Sequence, residues 1–340
     1  MPVRAFLDDV EIFAFDFDSP NWDALKKTYK KHNLVMPCCQ GKAIPKTSPQ
    51  GLHFFAHFRK GACTCKPESQ EHMYIKSLIA KAARNAGWKV TTEKSGETPA
   101  KEKWVADVYC TNKSNKKVAF EVQLSYQPLE AFRERQEKFK RSGVRCAWFI
   151  SHSKFKRLPV ISDKDLPVFL LDKVSVDKVP IVEPFNVPLP EFIQGMLKGN
   201  LRWVETPYCY QIYYFMDRCW KCGRIVKQVC GYSHDWYIEV AKTIPNASTV
   251  LQKVLEIISN SELRALGLNN ITRIDKIRSK RTAFPFCNKC IYCGAPQSNY
   301  YLIKKLQPSQ YEEEDTSRLK SMQFISPREF HGEWAYTKRS

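Results

Sequence analysis

Long apolar runs are missing from this sequence. None approaches the ~20 residues of a membrane-spanning helix, so neither a span nor a membrane partner is expected. A secretory signal is missing too: the start, Met-Pro-Val-Arg-Ala-Phe-Leu-Asp-Asp, turns acidic at once, and a cytoplasmic location is expected. There is no internal repeat and no long low-complexity segment, which sets aside solenoids and compositionally biased chains. Acidic residues are scarce, 35 Asp and Glu against 54 Lys and Arg, leaving a formal charge of +19. An excess of that size argues for a polyanionic partner, nucleic acid before anionic membrane. Cysteine, by contrast, is plentiful. Its 13 residues are an odd number, several stand in Cys-x-x-Cys pairs, and no export signal accompanies them. That combination points to metal thiolates in a reducing cytoplasm rather than to disulfides.

With 43% hydrophobic residues over a length of 340, two or three domains can fold. Residues 1–67 are dotted with Cys and His and rich in loop signals. Residues 68–180 alternate helix and strand patterns, and from the Pro-studded VPIVEPFNVPLP a Cys- and aromatic-rich block, 181–340, follows.

The middle block can be read in order. KPESQEHMYIKSLIAKAARNAGWKV begins with Pro67 and Glu68, favourable at a helix start, and ends near Gly87, a good left-handed cap. Ile75, Leu78, Ile79, Ala82 and Ala86 recur at helical spacing as its buried stripe. Glu68, His72 and Lys76, at i, i+4 and i+8, form one ridge beside it, a spacing that is often only a salt-bridge ladder. GWKVTTEKS reads as a strand carrying Glu93. PLEAFRERQEKFKRSG reads as a basic amphipathic helix whose Arg133, Arg135, Lys138, Lys140 and Arg141 are candidate phosphate contacts, and VRCAWFIS as another apolar strand. With the hairpin between them, this predicts a mixed α/β (α+β) fold, a small mixed sheet flanked by helices.

That hairpin, WVADVYCTNKSNKKVAFEVQLS, carries an acid inside each strand, Asp107 and Glu121. Alternation puts Trp104, Ala106, Val108 and Cys110 on one face and Val105, Asp107 and Tyr109 on the other. Glu121 and Gln123 share the face opposite Val118, Phe120, Val122 and Leu124. Pairing the strands can bring both acids to one face, where carboxylates ~4 Å apart repel by roughly 4 kcal/mol at an effective dielectric near 20. Then one acid holds a proton, or a divalent cation sits between them, Mg2+ or Mn2+ being suited to a few hard oxygen ligands. The other reading is an edge hairpin whose acids face solvent and pair with the turn lysines.

Taken in sequence, ESQEHMYIK, WVADV, VAFEVQLS, the Arg-bearing helix and CAWFI resemble the competence protein CoiA family. Members of that family are similar to nucleases of the restriction-endonuclease-like, PD-(D/E)xK fold. The resemblance implies a bacterial, metal-dependent nuclease or DNA-processing protein, with DNA before RNA as its substrate. Recombination or defence proteins would be further partners. It implies Asp107 and Glu121 as ligands of a catalytic Mg2+ or Mn2+, with Gln123 where the fold usually has a lysine, and Glu68 and His72 completing the site. Gln123 cannot lower the pKa of a water by its charge, though it can orient one; His72 or Lys76 would supply the missing proton transfer or positive charge. The alternative is a non-catalytic nucleic-acid-binding protein built on a degenerate nuclease fold. A zinc-stapled protein-interaction platform leaves the carboxylate pair unexplained.

Two Cys-x-x-Cys-Gly knuckles, Cys219 with Cys222 and Cys290 with Cys293, predict a closed structural Zn2+ site, a zinc ribbon. The segment between them must be an insertion with its own helices, such as ASTVLQKVLEIISNSELRALG, and Cys287 competes as a ligand. The aromatic run YCYQIYYF before the first knuckle can stack bases, but a buried strand is the preferred reading. Near the N-terminus the family pattern resembles Cys-Pro-x-Cys followed by His-Phe-Ala-His. Here Met36 stands at the first Cys position, Phe54 replaces the first His and His53 is one residue out of place. Cys39, His57, Cys63 and Cys65 form the expected set for a second Zn2+, with a metal-free Cys/His-rich hairpin as the alternative.

Overall fold

Two units make up the structure, a computed structural model that describes residues 2–59, 61, 63, 68–155, 163–234, 237–274, 285–306 and 319–337. One comprises Met1–Val204 with Gly332–Ser340, the other Glu205–His331.

The first unit opens with β1 (Arg4–Leu7) and β2 (Val10–Phe13), antiparallel neighbours. In helix α1 (Ser19–Thr28) the Asp18 side chain caps the Asn21 N–H. After it, β3 (Leu34–Val35) pairs with β1, and β4 (Ala43–Thr47) pairs with β5 (His53–His57). Ala5, Trp22, Leu34, Met36 and Phe55 form the core beneath them.

Helix α2 (Gln70–Asn85) starts where the Ser69 hydroxyl accepts from the His72 N–H, and it ends before Gly87, at φ 81°. Its buried face is Met73, Ile75, Ile79, Ala80, Ala82 and Ala83, and Lys76 is buried with them; Leu78 and Ala86 are only half-buried. Next come β6 (Lys89–Glu97), β7 (Lys103–Thr111) and β8 (Lys117–Gln123), antiparallel in turn. Helix α3 (Leu129–Arg141) carries the chain over to β9 (Arg145–Ser151), parallel to β8. Past the one-turn α4 (His152–Phe155), β10 (Val168–Leu171) adds parallel to β9, and β11 (Ile181–Glu183) and β12 (Val187–Pro188) add antiparallel. The sheet has seven strands in the order β12-β11-β10-β9-β8-β7-β6. It is the mixed sheet expected from the sequence, but it continues past residue 180, where the third block was expected to begin.

On one face, Ile75 and Ile79 of α2 and Phe192 and Ile193 of α5 (Leu189–Lys198) pack on Val108, Phe120, Val122 and Phe149. Phe132 and Phe139 of α3 cover the other face, on Ala106, Ala119 and Trp148. Each fully buried large side chain contributes about 1.5–3 kcal/mol, so both faces are tied down by hydrophobic burial. One expectation is corrected here. Ala106 and Trp104 pack on the α3 face with Tyr109, whereas Val108 and Cys110 pack on the α2 face. The strand switches faces at Asp107. Across from it Glu93 has a left-handed backbone, φ 47°, and the β6–β7 pairing passes from Thr92–Val108 to Lys94–Ala106. Pairing between β7 and β8 also ends there, at Val108–Phe120. The strands part where the acids stand.

The second unit is built on a four-stranded sheet. Its members β13 (Leu201–Arg218), β14 (Ile225–His234) and β15 (Tyr237–Val240) are antiparallel. Then follow α6 (Ile244–Ile257), α7 (Asn260–Ala265), the paired β16 (Asn270–Arg273) and β17 (Phe286–Lys289), α8 (Asn299–Leu306) and β18 (Lys320–Tyr336), which lies beside β13. The helical insertion between the knuckles is thus α6 and α7. YCYQIYYF lies in β13 as a strand, with Tyr210, Ile212 and Tyr214 packed against Val250, Leu251 and Val254 of α6. Among the described residues no helix is long and apolar enough to cross a membrane.

Candidate functional site

At the fork of β7 and β8, the start of α2 meets the two strand acids. His72 Nε2 lies 3.0 Å from the Val122 carbonyl oxygen and 3.4 Å from Asp107 Oδ2. Its Nδ1 is buried without a hydrogen bond, 3.4 Å from Glu68 Oε2. Donor atoms of Glu68, His72 and Asp107 all lie within 4.8 Å of one another. Asp107 Oδ2 accepts from the Val122 N–H at 2.8 Å, and Glu121 Oε1 accepts from the Asp107 N–H at 3.2 Å. Each acid is therefore anchored on the other's strand just where the ladder stops. Glu121 is fully buried, and its second oxygen accepts from the Arg135 guanidinium, which sits 4.8 Å over the Trp148 ring. The fully buried Lys76 donates to Glu68 Oε2 at 2.7 Å and also to Glu93. Glu93 accepts from the Thr92 hydroxyl at 2.6 Å, and Arg4 reaches its carbonyl at 3.3 Å.

These contacts set the charge states. Burial works to raise the Glu68 carboxyl, but His72 and Lys76 outweigh it and hold the group at about 2. Burial likewise disfavours the His72 imidazolium, yet Asp107 and Glu68 raise its pKa to about 9. Asp107 is held below the usual carboxylate range: the imidazolium, Lys76 and the Val122 N–H overcome its burial. Glu121 moves the other way, to about 8, because burial and then the Asp107 charge outweigh the attraction of Arg135.

The structure brings Glu68, His72, Lys76 and Asp107 into one cluster and sets Glu121 beside it, with both Glu121 oxygens already accepting hydrogen bonds. Gln123 turns its amide nitrogen to the Ser125 carbonyl and hydroxyl, at 2.7 and 2.9 Å. Of the basic residues on α3, Arg133, Lys140 and Arg141 are exposed and Lys138 is half-buried, whereas Arg135 is engaged with Glu121. Sequence reasoning missed Arg4, Arg135's structural part, and Glu93 as a member of the cluster. Only the juxtaposition of TTEKS with the helix ridge hinted at Glu93.

The cysteine clusters have donor sets that fit Zn2+. A tetrahedral ion with Zn–S bonds of about 2.3 Å places two thiolate sulfurs roughly 3.8 Å apart. Cys219 and Cys293 are 3.6 Å apart, Cys222 and Cys290 3.9 Å. Burial tends to raise the Cys219 thiol, but the backbone N–H groups of Cys222 and Lys221 bring it down to about 6, which favours the ligating thiolate. Gln297 adds an amide donor 3.4 Å from its sulfur. Cys287 is buried in β17 and stands outside this group. At the N-terminal cluster the members are Cys38, Cys39, His57 and Cys63, with Cys38 3.6 Å from Cys63 and Cys39 3.3 Å from His57. Cys38 thus joins the expected set, and Cys65 lies outside the described residues. His53 is instead stacked on Trp22, ring centroids 4.7 Å apart.

The helix α2, three antiparallel strands, the crossover helix α3 and the parallel strand β9 form an α/β core with acids where its central strands part. Residues 68–169 hold these elements. That segment matches the family described as "Competence protein CoiA, nuclease-like domain". The match spans less than half of the chain, and over those residues the chain is similar to that family. No curated protein matches the chain.

Proposed function

We propose that the protein is a nuclease that hydrolyses phosphodiester bonds in DNA with a divalent ion, Mg2+ or Mn2+, held by Glu68, His72 and Asp107. The observation that carries this reading is the convergence of those three donors within 4.8 Å in a segment that matches a nuclease-like domain. The donor set fits such an ion. Two carboxylates supply hard oxygens, and His72, an imidazolium in the ion-free site, would offer its buried Nδ1 on giving up that proton to an incoming ion, while Nε2 faces the Val122 carbonyl, a partner that orients the ring. A bound ion supplies charge neutralisation at the scissile phosphate and a water that ionises near neutral pH. Within the chain, the Val122 N–H orients Asp107, and the buried Lys76 fixes Glu68. Glu121, fully buried with both oxygens accepting hydrogen bonds, steadies the strand that carries Asp107, and Arg135 holds it in place.

A second reading, a nucleic-acid-binding protein without catalysis, is favoured by one observation: the amide donors of Gln123, which stands where the resembled fold usually has a lysine, are already taken by Ser125. The two readings separate when purified protein meets single- and double-stranded DNA and RNA with Mg2+, Mn2+ or chelator. The nuclease reading expects metal-dependent cutting that Asp107→Asn and Glu68→Gln each reduce by more than about 100-fold, with binding kept. Binding without cutting under every ion supports the second reading. Folded Asp107→Asn protein that cuts at the wild-type rate removes the assignment at these residues.

A further inference from the structure

The tip of the second unit, where the two cysteine knuckles meet, carries two large rings in solvent. Trp220 is 69% exposed and Tyr292 52% exposed. Neither ring is loose. Trp220, between Cys219 and Cys222, donates its indole N–H to the Pro296 carbonyl of the other knuckle at 2.8 Å. Tyr292, between Cys290 and Cys293, lies under the Arg224 guanidinium of the first knuckle, 5.1 Å from the ring centroid. Each knuckle thus steadies the aromatic of the other, so little side-chain freedom remains to be lost on binding. Around them stand Arg218, Lys221, Arg224 and Lys289, all exposed, and residues 218–224 and 287–296 contain no acid. Four thiolates with one Zn2+ carry two negative charges, so these four cations leave a net positive tip even around a filled zinc site.

We infer that this tip binds single-stranded nucleic acid, with unpaired bases stacking on Trp220 and Tyr292 and the surrounding cations meeting the phosphates. Pinned aromatic faces in a basic setting are the recurring platform for bases that are free to unstack, whereas a duplex keeps its bases stacked internally and offers the rings nothing. A protein partner would find little use for four cations without a single acid between them. The inference rests on the nucleic-acid part of the function proposed above and adds where, and to which form of the polymer, the protein holds on.

Fluorescence anisotropy of the full chain with an oligo-dT of about 20 nucleotides, and with a duplex of equal length, tests it in buffer without Mg2+ or Mn2+. Trp220→Ala and Tyr292→Ser should each weaken single-strand binding about 5- to 150-fold and leave duplex binding unchanged. Lys221→Gln with Arg224→Gln should lower the salt slope on the single strand by about 0.7 per lost phosphate contact. Zinc content is measured beside each. Should Trp220→Ala lose zinc, Tyr292→Ser and the charge variant, both on solvent-facing side chains, decide the matter. Wild-type affinity in those variants overturns the inference and leaves the rings to a protein partner, and equal losses on single strand and duplex overturn it too. Binding is read without the catalytic ion, so failure here leaves the nuclease reading standing, and failure of cleavage leaves this one.

Discussion

Replacing Lys76 with methionine removes the cation shared by Glu68 and Glu93 deep inside the first unit. The ammonium is fully buried, 2.7 Å from Glu68 and in contact with Glu93. Burial opposes its charge, but Glu93, Glu68 and Asp107 hold its pKa above the usual lysine value. Methionine fills nearly the same volume, so the packing cost is small and the effect is electrostatic. Two carboxylates are left facing each other in a low-dielectric site. Removing one member of a buried ion pair costs about 3–5 kcal/mol. For a unit of this size that is a fall in melting temperature of roughly 6–20 °C, read by circular dichroism or calorimetry at neutral pH without Mg2+ or Mn2+. Adding Glu93→Gln to the variant should restore part of the loss, because one of the two orphaned charges is gone and the sites are in contact. A shift below about 2 °C for Lys76→Met, or no recovery in the double variant, refutes the reasoning.

Cys222→Ser should lower bound zinc by about one ion per chain in protein purified under reducing conditions, and unchanged zinc by elemental analysis would remove the four-cysteine centre. On α3, Lys140→Ala should reduce the salt slope of duplex binding by about 0.9 per lost phosphate contact and leave the melting temperature nearly unchanged, since its pairing with Asp165 is an exposed one. Arg135→Ala should do the reverse, sparing the slope and lowering the melting temperature, because its guanidinium holds the buried Glu121. Like behaviour of the two variants would contradict that division.

The parts that were legible in the sequence depend on neighbours a few residues apart. The apolar spacing around Ile75 and Ile79 specifies a helix whatever it packs on, and two residues between cysteines bring both sulfurs to one side of a turn. Those local rules recovered the order of elements from α2 to β9, the helices between the knuckles, and the ridge of Glu68, His72 and Lys76. What stayed hidden depends on partners brought from far along the chain. Lys76 reads as a member of a helix ridge, in an ion ladder or as a source of catalytic charge, until Glu93, 17 positions on, arrives at its ammonium. Arg135 looks like the other cations of α3 until Glu121 and Trp148 close around it. The left-handed backbone at Glu93 carries no signal, because Gly or Asn would mark such a turn and Glu does not. That one turn also explains the error in the alternation: with strict period 2, Ala106 and Val108 share a face, and the structure separates them at the rung where Glu93 faces Asp107. The acids were found because interior carboxylates are costly. The cations and the backbone turn that make them tolerable lie in other elements, and only the fold brings them together.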